Sequence, residues 1–86
     1  MNEINIFKDK TIEIDNNNVI KINNVKFMQN IGSKPIVFSK DRLNNNNNGF
    51  KLMPNDFIIF SSNISIYVKN FYNDLNNFIT VSNGGY

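Results

Sequence analysis

Apolar and polar residues alternate along most of this chain with a period of two, the pattern of strands that bury one face and show the other to water. Glu3-Ile4-Asn5-Ile6-Phe7 and Thr11-Ile12-Glu13-Ile14-Asp15 both follow it. The polar break Lys8-Asp9-Lys10 between them makes either a hairpin or one strand interrupted by a bulge. Asp15-Asn16-Asn17-Asn18 is a turn, because Asn and Asp bond their own backbone and tolerate positive φ. Extended structure resumes from Val19 to Ile22. The apolar set then moves from even positions (Ile20, Ile22) to odd ones (Val25, Phe27). Such a slip turns a whole face outward unless a bulge or short turn sits at Asn23-Asn24.

The stretch from Phe27 to Phe60 organises the rest. Phe27 to Gln29 ends a strand, Asn30-Ile31-Gly32-Ser33-Lys34-Pro35 turns, and Ile36-Val37-Phe38 starts another. Gly32 is expected to supply the left-handed conformation of that turn, and Pro35, lacking an N–H, to suit a strand start or edge. Ile36-Val37-Phe38 has the continuous apolar character of a strand covered on both sides. Ser39 to Asn48 is the longest expected loop, with a flexible Asn-rich part at 41–48 in which Asn44 to Asn48 have no apolar anchor. Phe50 and Leu52 re-enter a strand, Pro54-Asn55-Asp56 turns, and Phe57-Ile58-Ile59-Phe60 reads as a short buried run. Ile64, Ile66 and Val68 line one face of the next strand, and Phe78 to Val81 close the pattern. Val68, Phe71, Tyr72, Leu75 and Phe78 have the spacing of a helix, but the four Asn between them are poor helix formers.

The expectation is therefore a single all-β domain over residues 1–86, a small antiparallel β-sandwich or β-barrel of seven to nine short strands. Composition agrees: thirteen Ile, five Val and eight Phe stand against three Leu and no Ala, a choice that suits pleated surfaces. The core is assigned Phe27, Phe38, Phe50, Phe57, Phe60 and Phe78. Twenty Asn and eight Lys with no Ala also point to an AT-rich genome.

Charge and chemistry narrow the function. Cysteine and histidine are both absent, which removes disulfides, thiolate metal sites and the commonest general base. The seven carboxylates (Glu3, Asp9, Glu13, Asp15, Asp41, Asp56, Asp74) are scattered, mostly in turns. Asp41 with Asp56, or Glu13 with Asp15, offer oxygen ligands to calcium without the spacing of a calcium loop. No phosphate loop, nucleophile elbow or dinucleotide fingerprint occurs, so neither an enzyme nor a bound cofactor or metal is expected. Nine cations against seven anions leave a net charge of +2 with no block of like sign. Lys21, Lys26, Lys34, Lys40, Arg42, Lys51 and Lys69 with Tyr67, Phe71 and Tyr72 make only a thin set for stacking on nucleic acid. The apolar runs are far shorter than the roughly 20 residues of a membrane span, and the N-terminus lacks a signal-peptide pattern. A soluble protein made in the cytoplasm is the expectation.

Two motifs carry a family resemblance. Gln29-Asn30-Ile31-Gly32-Ser33-Lys34-Pro35-Ile36-Val37-Phe38 and, after a polar loop, Gly49-Phe50-Lys51-Leu52-Met53-Pro54 are followed by an apolar strand and Ile66-Tyr67-Val68. Over residues 19–82 this order resembles the small all-β virion structural proteins of tailed bacteriophages, of the capsid-decoration, head-fibre or tail-accessory type. One departure is Asn55, where that pattern has Gly. The resemblance implies a non-enzymatic part present in many copies, as a homo-oligomer or within a larger assembly. Its partners would be the major capsid protein or other virion proteins, and its location the virion, after synthesis in the bacterial cytoplasm. A tail, baseplate or glycan- and host-recognition module is the alternative, with Tyr67, Phe71, Tyr72 and Tyr86 as the contact surface. A small nucleic-acid-binding β domain is a further one.

Overall fold

A computed structural model of the chain describes residues 2–15, 18–43, 49–72 and 76–84. Its seven strands are β1 (Asn2–Asn5), β2 (Lys10–Ile14), β3 (Ile20–Asn30), β4 (Ile36–Ser39), β5 (Phe50–Leu52), β6 (Phe57–Asn70) and β7 (Asn77–Ser82). They pair in the order β2-β7-β3-β6-β4-β5, antiparallel throughout. β1 stands outside that order and runs parallel to Ile20–Asn23 of β3, while β7 pairs with Phe27–Asn30 of the same strand. The all-β expectation holds. The first two strands, however, form neither a hairpin nor one interrupted strand, since β1 and β2 have different partners. Val68 and Phe78, the ends of the helix-like spacing, fall in β6 and β7, and no described residue is helical. No helix among the described residues is long and apolar enough to cross a membrane.

β3 and β6 are long enough to serve two parts of the sheet because both bend. The register between them breaks after Ile22 and again after Val25, and Asn24 takes the left-handed conformation at φ 71°. The slip at Asn23-Asn24 is thus a bulge, as the alternation requires. A second break follows that the alternation did not show: Val25 pairs with Ile64, and Phe27 pairs with Ile59, so Phe60 to Asn63 of β6 stand against Lys26 alone and three residues are extra. The strand phase changes again, and Met28 enters the core in place of Phe27.

The bent sheet curls on itself without closing. Asn30 at the end of β3 donates through Nδ2 to the Leu52 carbonyl on β5 (3.0 Å), and Asn70 at the end of β6 donates to the Ile14 carbonyl on β2 (3.0 Å). Inside lie Ile12 and Ile14, Ile22 and Met28, Ile36, Ile66 and Val68, and Ile79 and Val81, contributed by β2, β3, β4, β6 and β7. Branched side chains dominate because their stiff χ1 fits a pleated, covered surface with little entropy left to lose.

Asn30 locks the turn that follows β3. Its Nδ2 also donates to the Lys34 carbonyl (2.8 Å), and its Oδ1 accepts from Gly32 N–H (3.0 Å) and from Asn77 Nδ2 (3.4 Å). Asn77 Nδ2 reaches the Lys34 carbonyl as well (2.6 Å). The backbone of Asn30 bonds the second turn, accepting from Asn55 N–H (2.7 Å) and donating to the Asp56 carbonyl (3.0 Å). Gly32 does not take a positive φ here, contrary to expectation. Its lack of a side chain matters because a Cβ would overlap the Asn77 carboxamide.

The segment after β4 is anchored too. Leu43 is buried, and a Cβ at Gly49 would meet Leu43 Cδ2 and Val37 Cγ1 at 2.8 Å, so Leu43 and Gly49 lie against Val37 of β4. Only 41–43 of the expected flexible loop can be compared with the structure; Asn44 to Asn48 lie outside the described residues.

Candidate functional site

Phe27 is where the second register break has its effect on the surface. With Met28 turned inward, Phe27 and Gln29 face out, opposite Ile59 and Phe57 of β6 on one side and Ser82 and Thr80 of β7 on the other. Directly paired antiparallel residues lie on the same face, so Phe27, Phe57 and Ile59 share one surface. The Phe27 and Phe57 rings are 5.7 Å apart and tilted by 32°. Thr11 of β2 extends the row of Phe57, Gln29 and Thr80. At the end of the same strands Ile31 N–H bonds the Phe78 carbonyl (3.1 Å), bringing two more exposed apolar residues alongside. Phe57 is 58% exposed and Ile59 62%, so an uncovered aromatic and aliphatic patch lies across β6, β3 and β7. Glu13, opposite Phe78, is the charged neighbour on the β2 side.

Much of the aromatic core expected from the sequence is therefore surface. Phe38 is buried and Phe27 and Phe60 are partly so, but Phe50 (72%), Phe57 and Phe78 are exposed. The run Phe57 to Phe60 alternates instead of being covered on both sides: Ile58 and Phe60 pack on the core, and Phe57 and Ile59 do not. Phe7 is the most exposed of all at 83%.

The outward surface over β1, the first half of β3 and the second half of β6 is polar. Asn23 Nδ2 lies 2.6 Å from both Glu3 Oε2 and Asn5 Oδ1, and Asn23 Oδ1 accepts from Ser65 Oγ (2.7 Å). Asn63 bonds Asn24 Oδ1 and the Asn83 carbonyl, both at 2.8 Å, which ties the bulge of β3 to the extra residues of β6. Many of the asparagines are thus sheet-surface connectors.

Of the four aromatic residues expected to form a contact surface, Tyr67, Phe71 and Tyr72 are among the described residues. Phe71 and Tyr72 meet edge to face with centroids 5.0 Å apart, and Lys51 Nζ sits 4.3 Å from the Phe71 centroid. Tyr67 lies farther back on β6, half-buried, with Lys21 Nζ at 5.8 Å. Tyr86 lies outside the described residues. Two carboxylates accept from asparagines, Glu13 from Asn76 Nδ2 (3.0 Å) and Glu3 from Asn23 Nδ2 (2.6 Å), and the backbone N–H of Asp41 donates to Ser39 Oγ (3.0 Å). Among the described residues no three or more His, Cys, Asp or Glu come together as metal ligands, and Asp74 is outside them.

No family model, curated protein or solved structure matches this chain.

Proposed function

We propose that this protein is a non-enzymatic structural component of a tailed-phage virion, an auxiliary capsid or head-fibre protein that docks on the major capsid protein. The observation that carries the proposal is the patch built on Phe27, Phe57 and Ile59. A chain of 86 residues has few apolar groups to spare, yet here it holds large ones on an outward sheet face in water. Surfaces of that kind mark places where another macromolecule sits. Their aromatic content supplies contact area at small cost in side-chain entropy. The order of motifs from Gln29 to Val68, which resembles that of small virion proteins, supports the assignment of the partner. A domain this small also gains stability from a partner that binds only its folded form.

Mass spectrometry of particles purified from the phage that encodes this chain tests the proposal. The protein should be present at structural copy number, and a Phe57→Asp, Ile59→Asp variant should fold but be lost from the particle. A particle without the protein, or full incorporation of the variant, would remove the reading.

A further inference from the structure

The terminal strands of the sheet are guarded against pairing with another chain. β2 exposes Lys10 and Glu13, and β5 has only three residues. Charge and shortness are two common ways to keep an open edge from recruiting a strand. The first half of β6 has neither. It pairs with β3 along one side, and β4 meets β6 only at Tyr67 to Asn70, so among the described strands none covers the other edge of Phe57-Ile58-Ile59-Phe60. These four residues are uncharged, contain no Pro and favour extended structure.

That edge borders a groove of about 390 Å³ between β5 and β6, with Phe38, Leu52, Ile58 and Phe60 in its walls and exposed Phe50 at its lip. Phe38 sets the spacing, its ring 6.1 Å from Phe60 and 5.8 Å from Phe50. The turn from Met53 to Asp56 joins β5 to β6. Lys40 and Lys51 complete the lining. Lys51 is held over the Phe71 ring, which leaves Lys40 as the cation placed to meet an anion.

We propose that this groove takes an extended segment of a partner protein, added as a strand to the uncovered edge of β6, with apolar side chains on both faces and a carboxylate directed at Lys40. Strand addition would engage the backbone groups that β6 leaves to solvent. Inward side chains of the added segment would lie beside Ile58 and Phe60 and fill the groove; outward ones would lie beside Phe57 and Ile59. The lysine at the rim selects the acidic partner. A second copy of this chain is the poorer occupant, because it brings its own Lys40 toward the same mouth and sets like charges together. This inference goes beyond the capsid reading, and its test needs no virus particle.

The probes are labelled peptides of about nine residues, long enough for one strand. One alternates Val and Ile with Glu at both ends, one replaces Glu by Lys, and one keeps Glu but carries a central Pro. Fluorescence anisotropy should show the Glu peptide binding about tenfold more tightly than the Lys peptide, with the Pro peptide weaker still. Amide shifts in NMR should centre on residues 57–60. Lys40→Glu should reverse the preference between Glu and Lys, Phe50→Ser should weaken binding about fivefold or more, and Phe78→Ser should leave it unchanged. Equal binding of the Pro peptide, or no binding up to about 1 mM, overturns the proposal. So does protection of the amides of 57–60 that rises with protein concentration in the absence of peptide, which would make a second copy the occupant.

Discussion

Asn30 and Gly32 show how much of a fold can rest on two residues of a turn. All four hydrogen-bonding positions of the Asn30 side chain are used, on partners from the turn, β5 and β7, and the residue is fully buried. A buried polar group so satisfied is costly to disturb, since each partner left without water or protein costs about 1–3 kcal/mol. Gly32→Ala tests the arrangement without touching Asn30. The added methyl would force the Asn77 carboxamide away from the Lys34 carbonyl and Asn30 Oδ1, for an expected loss of about 2–4 kcal/mol. In a domain of this size that lowers the melting temperature by roughly 10 °C or more. Circular dichroism melts decide it: a shift within about 3 °C of the parent would mean that the turn accommodates the methyl and that the Asn77 contact is dispensable. The sequence marked this turn correctly but for a different reason, because the usual role of a turn glycine is positive φ, whereas the overlap with Asn77 comes from a residue 45 positions away in a strand with no sequence link to the turn.

Strands are legible here where one strand's own alternation specifies them, and illegible where a partner does. β2, the start of β3 and the second half of β6 follow their apolar period, so their positions and inward faces match expectation, while β7 lies where expected but turns Phe78 outward. The parallel pairing of β1 with β3 has no local signal, since the register of two distant strands depends on what each buries. The same holds for the second break in β3, which is forced by the three extra residues of β6. Turns between elements carry clearer information. Asn55 takes φ 73° in the turn joining β5 to β6, a conformation that Gly adopts freely and Asn tolerates. Its backbone bonds Asn30, so the conformation is held from outside. Asn55→Gly should therefore be neutral or stabilise by about 0.5 kcal/mol, whereas Asn55→Val, with a branched Cβ at positive φ, should cost about 1–2 kcal/mol. Urea denaturation of the two variants checks the pair. Equal midpoints would show that this φ is not maintained in solution.

At the scale of the whole molecule, the sequence could not tell which phenylalanines are core, because alternation divides a strand into two faces without saying which of them is covered. Phe57-Ile58-Ile59-Phe60 has apolar residues on both, and only the position of β6 in the sheet, with the core on one side and solvent on the other, separates Ile58 and Phe60 from Phe57 and Ile59. The outward pair then does little for the isolated fold. Cross-strand contact of Phe57 and Ile59 with β3 contributes about 0.2–1 kcal/mol per pair, a small part of the 5–15 kcal/mol typical of a domain. Its cost to solubility is larger, since an apolar sheet face beside an uncovered edge invites association. The double variant Phe57→Ser, Ile59→Ser separates the two effects. Thermal stability should fall by no more than about 1–2 kcal/mol, while ammonium sulfate should precipitate the native chain at a clearly lower salt concentration than the variant. If instead the variant fails to fold, the two side chains are part of the core after all, and the surface that links this fold to a partner must be sought elsewhere on the sheet.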